Sequence, residues 1–174
     1  MPFPRVVVLD LDGTIWTPEM YELWGGGGAP FTRKANDVLV DRKGTRVRLY
    51  DGVATAIVES KRNGAVLGVA STTDEPEWAR ECMAKFAIEQ ESGKTTPLHT
   101  LFEHIEIYKA NKRTHLARIK ERAGVEFKDI LFIDNEMGNI RNVSSLGVMC
   151  YYASEGLTQE GWLRAIERFQ SGTL

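Results

Sequence analysis

Four consecutive branched apolar residues, Val6-Val7-Val8-Leu9, stop abruptly at Asp10-Leu11-Asp12. Continuous rather than alternating apolar character predicts a strand buried on both faces, as in a parallel sheet covered by helices. Strands of that kind do not ordinarily end in two carboxylates. Spaced i, i+2 at the C-terminal edge of a parallel strand, Asp10 and Asp12 stand where open α/β sheets bind ligands. The two repel each other unless a cation lies between them or one keeps its proton. Asp10 therefore reads as a nucleophile and metal ligand, and Asp12 as its partner acid and base. Gly13 lets the backbone come close to an anion, and Thr14 adds a hydroxyl and an N–H beside it.

With 174 residues, 43% of them hydrophobic, the chain suits one domain spanning 1–174 with a sizeable core. Its 22 basic and 24 acidic residues leave a formal charge of −2, which supplies no electrostatic argument for nucleic acid or an anionic membrane. Cys82 and Cys150 lie far apart without metal-ligand spacing, so they read as core thiols of a reducing compartment. Pro2, Pro4 and the early aspartates interrupt any signal-type apolar run, and no run approaches membrane-spanning length. The expected address is the cytosol.

Beyond the first strand, Pro18 to Pro30 carries Tyr21, Trp24 and four successive glycines, Gly25 to Gly28. It reads as a mobile surface loop whose aromatics either fold over the site or pack locally. Val38 to Tyr50 reads as a hairpin around Asp41-Arg-Lys-Gly44, so 18–50 is expected to form a loop and a small flap. A helix from Asp51, stopped by Asn63-Gly64, leads to a second buried strand, Ala65 to Ala70, which ends in Ser71-Thr72-Thr73. Asp74 to Ala87 reads as a helix capped by Asp74, Glu89 to Pro97 as irregular, and His104 to Tyr108 as a short strand. In the helix Asn111 to Ala123, Lys112 stands in the first turn, against the macrodipole, which is costly unless an anion is near. Lys112 is the expected cation of the site, with Lys109 second. Asp129 to Ile133 predicts a third buried strand, ending in Asp134-Asn135-Glu136. A helix over Gly138 to Ser145, a strand over Val148 to Tyr152 and an amphipathic helix over Leu157 to Phe169 complete the pattern. His99, His104 and His115 lack zinc-ligand spacing and read as structural or surface residues.

The four strand-end and helix-start motifs together resemble the haloacid dehalogenase (HAD) phosphohydrolases, and more narrowly the magnesium-dependent phosphatase-1 group. The narrower likeness rests on Asp10-Leu-Asp-Gly-Thr-Ile-Trp16, Asp41-Arg-Lys-Gly-Thr-Arg-Val-Arg-Leu-Tyr50, Glu106-Ile-Tyr108, Lys112-Arg-Thr-His115 and Asp134-Asn-Glu-x-x-Asn139-Ile140. It implies a doubly wound, Rossmann-like parallel sheet with helices on both faces and no large cap domain. It also implies Mg²⁺ held by Asp10, the backbone carbonyl of Asp12, and Asn135 with Asp134. Ser71, Thr72 and Lys112 are implied to hold the phosphoryl group, and hydrolysis to pass through an aspartyl-phosphate. The chain departs from that group in having Gly13 for its usual tyrosine, Ser71-Thr-Thr for Ser-Arg-Thr, and Asp134-Asn for Asp-Asp. Thr72 thus removes a cation near the substrate, and Asn135 offers an uncharged oxygen to the metal.

The resulting expectation is a Mg²⁺-dependent phosphomonoester hydrolase acting on protein phosphotyrosine or on sugar or glycated-amine phosphates. No nucleic-acid or membrane partner is expected, and the oligomeric state is unreadable. The alternative is a catalytically weak binding or regulatory module of the same fold. A phosphate-storing switch is disfavoured by Asp12, since a second acid serves turnover rather than storage.

Overall fold

A computed structural model of the protein describes residues 2–172, so Met1, Thr173 and Leu174, the ends of the expected 1–174 domain, lie outside the described residues. The chain opens with β1 (Val6–Leu9), then builds a flap from β2 (Trp16–Thr17), β3 (Thr32–Ala35), β4 (Val38–Val40) and β5 (Arg46–Leu49). It returns through α1 (Val53–Arg62), β6 (Val66–Ser71) and α2 (Pro76–Lys85) to a ribbon of β7 (Ala87–Glu89) and β8 (Thr95–Pro97). The remaining strands and α-helices are β9 (His104–Ile107), α3 (Lys112–Ala123), β10 (Ile130–Asp134), α4 (Met137–Ser144), β11 (Met149–Tyr152) and α5 (Gln159–Ser171).

Five strands form one parallel sheet in the order β11-β10-β1-β6-β9. From β1 the chain steps outward through β6 and β9, then crosses back to β10 and β11 on the other side. The winding therefore reverses between β1 and β10, and open α/β sheets bind ligands in the crevice at such a point. Leu9 pairs with Ile133 there, so Asp10 and Asp134 emerge side by side.

Both sheet faces are covered, as the continuous apolar strands require. Val7 and Leu9 pack with Val53, Ala56 and Ile57 of α1 and with Trp162, Ala165 and Ile166 of α5. Val6 and Val8 face the other way, onto Leu116 and Ile119 of α3 and Val143 of α4. All four β1 side chains are fully buried, and each such burial contributes roughly 1.5–3 kcal/mol. The strand is thereby pinned along its length, and so are the aspartates that follow it.

The expected hairpin is half of a four-stranded antiparallel sheet, β2-β5-β4-β3. Thr32–Ala35 is exposed throughout and lacks apolar alternation, so no periodicity marked it as a strand. The helix expected from Asp74 begins instead at Pro76. Proline restricts the residue before it to extended geometry, which keeps Glu75 out of the helix. Within the stretch expected to be irregular, β7 and β8 pair. The glycine loop is tied down rather than free: Gly28 N donates to Asp41 Oδ2 at 2.8 Å and Arg42 N to Gly28 O at 2.9 Å. A Cβ on Gly28 would stand 2.2 Å from the Trp78 ring, and its φ is +89°, so glycine is required there twice over.

Candidate active site

Asp10 leaves β1 almost wholly buried, and both of its oxygens are held. Oδ1 accepts from Lys112 Nζ at 2.8 Å, and Oδ2 accepts from Thr14 Oγ1 at 2.9 Å. Asn111 caps α3 by accepting from Arg113 N, which sets Lys112 in the first turn and aims it beneath the sheet edge. Lys112 Nζ also donates to Asp134 Oδ2 at 3.0 Å and to Ala70 O at 2.5 Å. Burial opposes its charge, yet Asp10 and Asp134 hold its pKa above the ordinary lysine value. Asp134, at the end of β10, is raised by burial and by the charge of Asp10, with Lys112 working the other way. Its remaining contacts are Glu136 N on Oδ1 at 2.8 Å and Asn139 Nδ2 on Oδ2 at 3.1 Å. Asp134, expected among the metal ligands, is thus occupied as a partner of Lys112 and Asn139.

Asn135 faces Asp10 from the other side of the crevice. Its amide lies over Gly13, where φ is +77° and a Cβ would come within 2.3 Å of Asn135 Nδ2. Asn135 Oδ1 stands among oxygens: 3.2 Å from Thr14 Oγ1, and directed at Asp10 Oδ2 and the Asp12 carbonyl. Turning the amide over would make Nδ2 a donor to Asp10 Oδ2 at 3.0 Å and to Asp12 O at 3.1 Å. Ligands at right angles around Mg²⁺, each about 2.1 Å from the ion, lie about 3 Å apart. The amide oxygen therefore stands at hard-cation ligand spacing from the Asp10 carboxylate and from the Asp12 carbonyl, and all three are oxygen donors. Among the described residues no cluster of three or more His, Cys, Asp or Glu side chains offers a metal site, so the amide and the carbonyl are needed to complete this one.

Asp12 points away from that trio. Trp16 Nε1 donates to Oδ1 at 2.9 Å and Thr73 Oγ1 to Oδ2 at 2.7 Å. Burial, assisted by the charge of Asp10, pushes Asp12 up to about 6 despite both hydrogen bonds. Neither partner was foreseen. Trp16 follows Asp12 by four residues in a tight loop, a spacing with no chemical signature, and nothing in the sequence sets Thr73 apart from the other hydroxyls of its strand end.

Above these groups lies a cavity of about 160 Å³, lined by Asp10, Asp12, Ser71, Thr72, Thr73 and Lys109, with Glu19, Tyr21, Asp74, Glu136 and Asn139 around it. The structure thus gathers Asp10, Asp12, Ser71 and Thr72 on one wall, with Thr14, Lys112, Asp134 and Asn135 beside or behind Asp10. Lys112 does not reach the wall, while Lys109, the second choice, does. Tyr21 stands at the mouth, and Trp24 donates to Glu75 at 2.9 Å rather than covering the site. His115 is buried, with Nε2 against Tyr108 O at 3.1 Å. Cys82 and Cys150 are buried and unpaired, their thiols raised by burial. No helix among the described residues is long and apolar enough to cross a membrane.

Residues 2–172 match the family described as Acid Phosphatase. The chain belongs to the acid phosphatase family. As a member of that family it is 31% identical to human magnesium-dependent phosphatase 1 over 176 residues, covering 98% of this chain and 92% of the relative. A HAD-like hydrolase superfamily protein of Schizosaccharomyces pombe is also 31% identical, over 84% of this chain and 83% of that protein. Among solved structures, a HAD-superfamily hydrolase from Ehrlichia chaffeensis superposes with a TM-score of 0.63 at 12% identity, covering 98% of each chain. The phosphatase-domain structure of a Bacteroides fragilis protein, complexed with Mg, gives 0.58 at 16% identity over 94% of this chain and 40% of that one. Such likenesses carry the fold, and the acid phosphatase family is shown by the sequence match.

Proposed function

We propose that this acid phosphatase family member is a Mg²⁺-dependent phosphomonoester hydrolase that works through an aspartyl-phosphate on Asp10. The observation that carries the reading is the pairing of two unlike carboxylates at the cavity floor. Asp10 is fixed by Lys112 and Thr14, whereas Asp12 is pushed up to about 6 and held by Thr73 and Trp16. Two acids whose environments separate their roles are what a two-step phosphoryl transfer requires.

Asp10 Oδ2, the Asp12 carbonyl and Asn135 Oδ1 would hold Mg²⁺, which when bound would supply charge that lessens repulsion between Asp10 and the phosphoryl oxygens. Asp10 Oδ1 then forms a bond to phosphorus as the bond to the leaving oxygen breaks, and Asp12 gives that oxygen its proton. In the second step Asp12, now a carboxylate, takes a proton from water. The water oxygen bonds to phosphorus, the Asp10–phosphorus bond breaks, and phosphate leaves. Ser71, whose hydroxyl accepts from Thr73 N at 3.2 Å, and Thr72 form the wall against which the group rests.

The open, uncapped cavity suits phosphotyrosine on a protein as well as sugar or glycated-amine phosphates, and Tyr21 at its mouth suits a planar or sugar ring. The test is phosphate release from a small aryl phosphate. Release that requires Mg²⁺ and vanishes in Asp10→Asn, with the melting temperature preserved, is the expected result. Undiminished release by Asp10→Asn would overturn the reading. Absence of release from the wild type would leave the binding-module alternative.

A further inference from the structure

The two lysines near Asp10 differ in what their ammonium groups have left to give. An ammonium has three N–H donors and no acceptor. Those of Lys112 are matched by three acceptors, Asp10 Oδ1, Asp134 Oδ2 and Ala70 O, and its side chain is 0% exposed. A phosphoryl oxygen could reach it only by displacing one of them. Lys109 Nζ has two partners, Thr72 O at 2.7 Å and Asp74 Oδ1 at 2.6 Å, and its side chain is 64% exposed on the cavity wall. One donor remains.

The position of Lys109 is set by the sheet. Ser71 pairs with Ile107 at the β6–β9 edge, and Tyr108 N donates to Ser71 O at 3.1 Å, so the next residue is carried to the loop that follows β6. Among the described residues the cavity is lined by the carboxylates Asp10, Asp12, Glu19, Asp74 and Glu136 and by a single cation, Lys109. A phosphomonoester dianion entering that surround needs a counter-charge that can move toward it. The Asp74 pair is exposed, and exposed ion pairs are weak, so Asp74 exchanges readily for a phosphate oxygen. The Thr72 carbonyl keeps the ammonium on the wall while the exchange takes place.

We propose that Lys109 is a second lysine serving the substrate's phosphoryl oxygens, released from Asp74 as phosphate arrives, beside Lys112, which holds Asp10. This division of roles rests on the hydrolase reading above. It makes Lys109 a substrate-binding residue and Asp74 its resting partner.

The test compares wild type, Lys109→Met, Lys109→Arg and Asp74→Asn in Mg²⁺, measuring KM for an aryl phosphate and, by calorimetry, the Kd of inorganic phosphate. Loss of one charge-assisted hydrogen bond at a partly exposed site predicts that Lys109→Met raises both constants about tenfold, most of the lost kcat/KM lying in KM. Lys109→Arg should recover much of the loss, and Asp74→Asn should tighten phosphate about two- to threefold by freeing the lysine. Unchanged KM and phosphate Kd in Lys109→Met would overturn the assignment, as would a wild type that binds no phosphate. Should the wild type bind phosphate without hydrolysing the ester, the hydrolase reading falls, while the phosphate titrations of the two proteins still decide the role of Lys109.

Discussion

Asn135 is the residue on which the character of the site turns. Its oxygen faces Asp10 Oδ2 and the Asp12 carbonyl, and the same amide turned over donates to both. An amide can therefore close the site with or without a cation, which a carboxylate cannot do. Asn135→Asp would place a further negative charge beside Asp10. It is expected to tighten Mg²⁺ about tenfold by calorimetry, because affinity follows ligand charge. Without Mg²⁺ the same variant should lose about 1–3 kcal/mol of stability through like-charge crowding. An unchanged Mg²⁺ affinity would show that Asn135 does not face the ion. The identity of these residues was legible in the sequence, since Asp10, Asp12, Ser71, Lys112 and Asn135 all stand at strand ends or helix starts. Their hydrogen-bond allocation was not. That Lys112 uses three acceptors while Lys109 uses two depends on side-chain reach across 22 to 102 residues of chain, which no local pattern records.

Among the elements, buried strands announced themselves, because β1, β6 and β10 are continuous apolar runs whose ends carry the polar residues of the site. Of the flap strands the β4–β5 hairpin did so as well, whereas β2 and β3 did not, since Thr32–Ala35 is exposed throughout and Trp16–Thr17 is two residues long. The β9–α3 junction holds a group that predicts a pH response. His115 Nε2 donates to Tyr108 O, its Nδ1 is buried without a hydrogen-bond partner, and the ring meets Tyr108 edge-on at 4.3 Å. Burial, then the charge of Lys112, lowers its pKa to about 4. The unfolded chain takes up the proton near pH 6.5 and the folded chain does not, so the unfolded state binds more protons between the two values. Stability from this group is therefore complete above about pH 6.5 and is lost as pH falls toward 4, by at most about 3 kcal/mol. Denaturant melts of wild type and His115→Gln over that range should show the difference between them shrinking on acidification; a constant difference would mean that the ring protonates in place.

For the molecule as a whole, the parallel sheet reverses its winding between β1 and β10, and that reversal brings Asp10 beside Asp134 although 124 positions separate them. Net charge says little about such a molecule. A formal −2 over 174 residues conceals a cavity lined by five carboxylates and one lysine, and the family match extends over residues 2–172. The architecture followed from strand composition and motif order, whereas the substrate depends on the shape of an open mouth built from Glu19, Tyr21, Asp74 and Glu136, residues without a common motif. The central claim is that Asp10 carries the phosphoryl group between two half-reactions. It is tested most directly by acid-quenching the reaction with an aryl phosphate in Mg²⁺ and examining the peptide that contains residue 10 by mass spectrometry. An aryl leaving group needs little help from an acid, so Asp12→Asn should still form the adduct but lose the base that removes it. A phosphoryl adduct on Asp10 that accumulates in Asp12→Asn and is absent from Asp10→Asn is the predicted result. Phosphate release by the wild type with no adduct on that peptide in either the wild type or Asp12→Asn would contradict it.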